Sequence, residues 1–362
     1  MTNALSVTST HARGLPCLLS QRTGDNKALQ ARRARHISCS IRRLPTILET
    51  DCEDSISAPA PSLPCPARLP HSITDPLVPA APDVDVIVAG LKKGSQFERS
   101  QLLAWLFQSM WGATLAMACS ENGSRILQAI LEVTSSKEHS ALLAQVKGSV
   151  MDLATSEHGH EVLMRLIELL PSPSTGFVIQ EFAGSCKTIA RHRYGCHVLN
   201  HLIMHFSAAQ MADLTNEVLQ ETADLSRQEH GNLVLQHLLE YGTVASQQRI
   251  VRDLLPTARS SAMHKIASRV LQQVLEHCER NEQLALARAM LQPAKASLTD
   301  VACSRCGSAV LRRMADAGLC ADQLRAHLAM NVARLQKSKY GSRVLTSFRV
   351  STLPCTASTL AP

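Results

Sequence analysis

Aromatic side chains are scarce, supplying 3% of 362 residues with only 2 Trp and 3 Tyr. A core of stacked rings is thereby excluded, so burial has to rest on Leu, Val, Ile, Ala and Met, which favours helices. Long apolar runs are missing too. A membrane helix needs about 18 uninterrupted residues, and pieces such as 102–107 fall far short, so no membrane partner is expected. Charge of one sign does not dominate: 37 Lys and Arg against 30 Asp and Glu leave +7, which permits a polyanionic partner without requiring one. The 12 cysteines are spread along the chain rather than gathered into a disulfide framework, which fits a reducing compartment. Cys303 and Cys306 have the spacing of half a zinc site, but only the isolated Cys320 follows, and no metal is expected. There is no Walker loop, nucleophile elbow or dinucleotide fingerprint, and His160-Glu161 opens like a zincin motif only to meet Met164 where a second His belongs. The expectation is a protein that is no enzyme and takes no cofactor.

Composition divides the chain. Residues 1–54 carry Arg13, Arg22, Lys27, Arg32, Arg33, Arg35, Arg42 and Arg43, with Asp25 the one acid before residue 49. This is the make-up of a basic disordered tail or of an organellar transit peptide. Residues 55–83 hold half of the 16 prolines, which fix φ and withhold amide donors, so an extended linker is expected. A folded region is expected over 84–349, with 84–101 as an N-terminal cap, and 350–362 reads as a tail.

The folded region repeats. Short polar runs end in Gly123, Gly159, Gly195 and Gly231, 36 apart, and the series continues through Ala267, Gly307 and Gly341. Each is followed by one apolar pair at +3 and +4, as in Val198-Leu199, and in most units by a second pair four residues on, as in Leu202-Ile203, which makes a helical stripe. An apolar residue six before the Gly, such as Leu153 or Ile189, implies a preceding helix, so each of seven units reads as two helices. Such a pair cannot bury its own faces and must stack on its neighbours, giving an all-α fold, an α-solenoid. The longer spacing between the fifth and sixth units puts an insertion around 291–299. Histidines at repeat positions, among them His158, His230 and His264, are expected at turns or helix caps.

Solenoids work through the exposed residues of one helix per unit. Positions +1 and +5 are four apart and +2 stands beside them, so three side chains per unit are expected to converge on one outward spot. They are Ser124, Arg125 and Gln128 in the first unit; His160, Glu161 and Met164 in the second; Cys196, His197 and Asn200 in the third; and Asn232, Leu233 and Gln236 in the fourth. The fifth offers Ser268, Arg269 and Gln272, the sixth Ser308, Ala309 and Arg312, and the seventh Ser342, Arg343 and Thr346.

The runs Gly-Ser-Arg-Ile-Leu-Gln at 123, His-Gly-Asn-Leu-Val-Leu-Gln at 230 and Ala-Ser-Arg-Val-Leu-Gln at 267 resemble repeats of the Pumilio (PUF) family. That resemblance implies a right-handed superhelical crescent, usually of eight repeats, whose inner helices bind single-stranded RNA at one base per repeat. It also implies which residues read: Gln at +5 as donor and acceptor toward a base edge, Ser or Asn at +1 as its companion, and Arg at +2 stacked on the ring. On the family's code, Ser with Gln reads adenine and Asn with Gln reads uracil, with the N-terminal repeat at the RNA 3′ end. The implied pattern is 5′-n-n-A-U-n-n-A. His197 has a planar group for stacking, whereas Leu233 and Ala309 lack one and Glu161 would repel phosphate.

The resemblance implies regulation of messenger RNA stability or translation through 3′ untranslated regions, by a monomer in the cytoplasm with protein effectors on its convex face. Two alternatives stay open. One is a nucleolar factor that reads the RNA backbone without sequence preference in ribosomal RNA processing, and the other is an armadillo- or HEAT-like scaffold that grips proteins.

Overall fold

A computed structural model of the chain describes residues 84–110 and 112–350. All lie in the second of two compact units, 75–362. The basic segment, the Pro-rich segment and the tail from 351 fall outside the described residues. Among the described residues the elements are helices, with no strand, and none is long and apolar enough to cross a membrane.

The seven motif helices are Glu121–Val133, Gly159–Leu169, Gly195–His205, Gly231–Tyr241, Ala267–His277, Arg305–Asp316 and Lys339–Ser347. Each packs on the next, forming a continuous layer. The expected apolar pairs are buried throughout, for instance Leu163, Leu199, Leu235 and Leu271, each at most 1% exposed. A fully buried side chain of this size contributes about 1.5–3 kcal/mol, and the repeating pairs supply it at every step.

The motif glycine has a steric cause. In most units the start of the motif helix lies against the carbonyl six residues back: a Cβ on Gly159 would meet the Leu153 carbonyl oxygen at 2.9 Å, and one on Gly195 the Ile189 oxygen at 3.0 Å, while at Gly231 it would meet the Leu225 side chain at 2.6 Å. Three residues before the glycine a side chain caps the helix. Ser120, Ser156, Ser304 and Ser338 accept the amide of Gly123, Gly159, Gly307 and Gly341 through Oγ. His192 and His264 do the same through Nδ1, His264 accepting from Ala267 at 3.2 Å. His158 and His230 stand in the turn one residue before the glycine, as expected, and form no side-chain cap.

Each unit has at least three helical pieces rather than the expected two, the third adding Ser172–Thr175 and the fifth the 3-10 turn Leu255–Thr257. The preceding segment breaks into an outer helix and a short one, as in Ser136–Val146 and Val150–Thr155 of the second unit. In the first three units the break falls at Gly112, Gly148 and Gly184, with φ of 90°, 83° and 78°, a region open to glycine and costly to other residues.

A carboxylate from the next outer helix fastens two of these corners. Glu181 accepts the amides of Gly148 at 2.8 Å and Val150 at 3.2 Å, and Glu217 those of Gly184 at 2.7 Å and Cys186 at 3.3 Å. Gln145 takes this place for Gly112 and Thr114. Further along, the buried guanidinium of Arg259 donates to the carbonyls of Met290 and Ala296 and so pins the 292–297 loop, which is the expected insertion.

The N-terminal cap is the single helix Val84–Lys93, shorter than the 84–101 expected, because Gln96–Met110 is the outer helix of the first unit. Val84–Lys93 lies against the first motif helix through Ile87 and Leu91 and occupies the place of a preceding motif helix. The chain is an α-solenoid of helical repeats, as expected.

Candidate nucleic-acid interface

The motif helices carry one row of +2 and +5 side chains along the layer, but the +1 side chains do not join it. Ser124, Cys196, Asn232, Ser268 and Ser308 are 4% exposed or less, and His160 is 9% exposed. The serine hydroxyls turn back into their own helices: Ser124 donates to the Glu121 carbonyl at 3.0 Å, Ser268 to Lys265 at 3.3 Å and Ser308 to Arg305 at 2.8 Å. The outward spot is therefore built from two side chains in most units and from the +2 residue alone in the second and third, where Met164 and Asn200 at +5 are buried as well, 8% and 6% exposed. Position +1 lies three residues before the buried +4 pair member, so its small side chain falls at the margin of the apolar stripe. Only Ser342, in the last unit, is half-buried, and it too bonds backward to Ser338 and Gln336.

In the fourth unit, Asn232 Nδ2 donates to the carbonyls of Gln228 and Glu229, both at 2.7 Å, and its Oδ1 accepts from Gln236 Nε2 at 2.6 Å. Gln236 is thus tied to Asn232 through its amide nitrogen. Gln272 is set similarly, its amide donating to the Ser268 carbonyl at 3.2 Å. Asn200 at +5 of the third unit is 6% exposed, with Oδ1 buried and unpaired.

The arginines divide into two groups. Arg125 forms an ion pair with Asp85 of the cap helix. Its neighbour Gln128 donates to Glu161 of the second unit at 3.1 Å, so both outward side chains of the first unit are engaged by flanking helices. By contrast Arg269, Arg312 and Arg343 are exposed, and among the described residues their guanidiniums have no hydrogen bond or ion pair. Within the +2 and +5 row, among the described residues, the unpaired positive charge lies on units five to seven.

The middle units present imidazoles instead. His160 stacks on Tyr194 with centroids 4.9 Å apart and stands 6.2 Å from His197, while Arg193 lies over the Tyr194 ring. Burial lowers the pKa of His160, His192 and His197, so they are neutral at pH 7. Burial also pushes the Cys196 thiol up to about 12, which leaves it protonated and unreactive.

A second row escapes the sequence reading. The +9 residue of one motif helix meets +6 of the next: Glu132 pairs with Arg165 at 2.6 Å, Glu276 with Arg313 at 2.6 Å, and Glu168 Oε1 lies 3.8 Å from His201 Nδ1. The signal was present as acid at +9 and base at +6 recurring across the period, but it shows only once neighbouring helices are known to lie side by side.

This is a helical-repeat protein with a polar row along one helix layer. The model of a Pumilio-family RNA binding repeat matches residues 114–146 and 185–219, and that of a NOP9-like PUF repeat domain matches 209–343. No curated protein matches. Among solved structures, PUF-8 in complex with PBE-RNA is similar at 20% identity and a TM-score of 0.65, over 73% of this chain and 78% of that one. The Puf3 RNA binding domain bound to a Cox17 RNA 3′ UTR site is similar at 18% identity and 0.63, over 73% and 80%. The RNA-binding domain of yeast Puf5p bound to AAT2 RNA follows at 19% and 0.58, over 65% and 68%. The chain belongs to the Pumilio (PUF) repeat family, as a divergent member.

Proposed function

We propose that the chain binds single-stranded RNA along its motif helices, with units four to seven carrying most of the contact. The observation that carries this reading is the row of exposed, unpaired arginines 269, 312 and 343, beside the preset amides of Gln236 and Gln272. Arg269 and Arg343 stand at +2, where a planar cation stacks on a base, and all three are free to attract phosphate. Base choice rests on units five and four, which by the family code read 5′-A-U. Ser124 and Gln128 carry the same residue types but are diverted to their neighbours. The third unit, with buried Cys196 and Asn200, contributes His197 alone.

Two cellular roles follow from this reading. Complete readout pairs in adjacent units favour post-transcriptional regulation of messenger RNA in the cytoplasm, with protein effectors bound elsewhere on the array. The match of 209–343 to a NOP9-like domain, with so few selective units, favours a backbone-reading factor in ribosomal RNA processing, placed in the nucleolus. Selection from a random RNA pool with the full-length protein at two salt concentrations tests the proposal. Enrichment of A-U supports selective regulation, and salt-labile binding without enrichment supports the backbone reader. Absence of binding would overturn RNA recognition and leave a protein-gripping solenoid.

A further inference from the structure

We propose that Glu168, His201 and His205 form a zinc-type divalent metal site joining the second unit to the third. His201 and His205 are one turn apart on the helix Gly195–His205, with rings 5.7 Å apart and inclined by 23°. Glu168 comes from the end of the preceding motif helix, Gly159–Leu169. One donor atom from each lies within 4.8 Å of the others. Zn–N and Zn–O bonds of about 2.0–2.2 Å place tetrahedral ligands about 3.3–3.5 Å apart, so small side-chain rotations close the set.

The first donor has no competing partner. His201 Nδ1 is buried without a hydrogen bond, and its 3.8 Å separation from Glu168 Oε1 is too long for one. Both imidazoles are held neutral by burial, the state in which they ligate. The carboxylate is oriented from behind. Arg165 donates to Glu168 Oε2 at 2.9 Å while Glu132 shares its charge at 2.6 Å, leaving Oε1 toward the histidines. This matches the outer-shell hydrogen bond usual for ligating carboxylates.

Position in the array sharpens the point. Elsewhere in the +9 to +6 row the glutamate meets an arginine across the joint, Arg165 or Arg313, whereas Glu168 has its cation, Arg165, on its own helix at Oε2 and meets none across the joint at Oε1. Here the +6 residue is His201, neutral at pH 7, and the +10 residue one turn later is another histidine. Two imidazoles and one carboxylate select a borderline transition ion over magnesium or calcium, and three protein ligands leave a fourth position for water.

The test uses the full-length protein, stripped with a chelator and titrated with cobalt(II), then zinc(II). Cobalt distinguishes ligands: nitrogen and oxygen donors give visible d–d bands, whereas any of the 12 cysteines adds an intense thiolate charge-transfer band. One equivalent bound without the thiolate band, displaced by zinc and weakened at least about tenfold in His205→Ala and in Glu168→Gln, supports the site. Circular dichroism checks that each variant is folded; Glu168 is partly exposed and its amide variant keeps shape should His205→Ala fail. No binding, thiolate-type spectra alone, or unchanged affinity in Glu168→Gln would overturn it.

Discussion

Gln128 donates its side-chain amide to the carboxylate of Glu161 across the first joint of the array. A residue type that reads adenine by the family code is thereby spent on a neighbouring unit. Glu161→Ala should release it and remove a charge hostile to phosphate. RNA affinity should rise about fivefold, the worth of one hydrogen bond, and preference at the 3′-most base should appear. Fluorescence anisotropy on RNAs varied at that base measures both, and no gain would mean that the first unit lies off the RNA path.

The fourth and fifth units should behave in the opposite way. Gln236→Ala and Gln272→Ala are each expected to cost about 1–3 kcal/mol at a single base, while Gln128→Ala costs far less. Competition among RNAs altered one position at a time distinguishes these outcomes from a general loss.

Replacing Arg269, Arg312 and Arg343 together by Gln should weaken RNA of every sequence. Each phosphate contact on a single strand contributes about 0.7 to the slope of log affinity against log salt, so the slope should fall by up to about 2. An unchanged slope would place the phosphates elsewhere.

Stability should respond sharply at the motif glycines. A Cβ on Gly307 would overlap the Val301 carbonyl oxygen, which belongs to backbone and has little room to retreat. Gly307→Ala should cost about 1–3 kcal/mol, whereas Ala267→Gly, at the corresponding place in the fifth unit, should cost about 1 through helix propensity. Urea midpoints at constant m-value compare the two.

Acid should destabilise the middle of the array before carboxylates titrate. Burial lowers the folded pKa values of His160, His192 and His197 below the ordinary 6.5, so the unfolded chain binds protons first as pH falls. Their contribution is complete above about 6.5 and shrinks through the window beneath it. Urea midpoints in chelator-treated protein should drop between pH 7 and pH 5.5, and His160→Gln should flatten the dependence.

Much of the architecture was legible because the solenoid repeats its chemistry. The apolar pairs at +3, +4, +7 and +8 specify a buried stripe whichever unit they occur in, and the carbonyl six residues back explains the glycine. The split of the preceding helix was not legible, since Gly148 reads as a helix end only once its positive φ and its bond to Glu181 are seen together. The readout row was half legible. Spacing places +1, +2 and +5 near one another, but whether Ser124 points outward depends on a carbonyl three residues back, and whether Arg125 is free depends on Asp85, 40 residues away. The pairing of Glu168 with His201 and His205 needed neighbouring helices in register, which a period alone does not supply.

The corners fastened by Gln145, Glu181 and Glu217 lie at the first three joints, and Arg259 secures the fifth. At the fourth, Gln220 stands where the earlier units have glycine, and among the described residues the side-chain hydrogen bonds across the joint run from Arg227 to Ser260 at 3.1 Å and from Gln247 to the Leu239 carbonyl at 2.6 Å, with no clamp on the corner itself. In a linear array each unit is stabilised by its nearest neighbours, so cooperativity is set joint by joint and fails first where coupling is weakest. The unclamped fourth corner is therefore where the array is expected to divide, into a segment of four units and a segment of three. Amide exchange should reveal two protection levels with the boundary in the fourth joint, between two adjacent units proposed to read neighbouring bases. An RNA laid across that boundary would bind both segments and raise the cooperativity of the whole array.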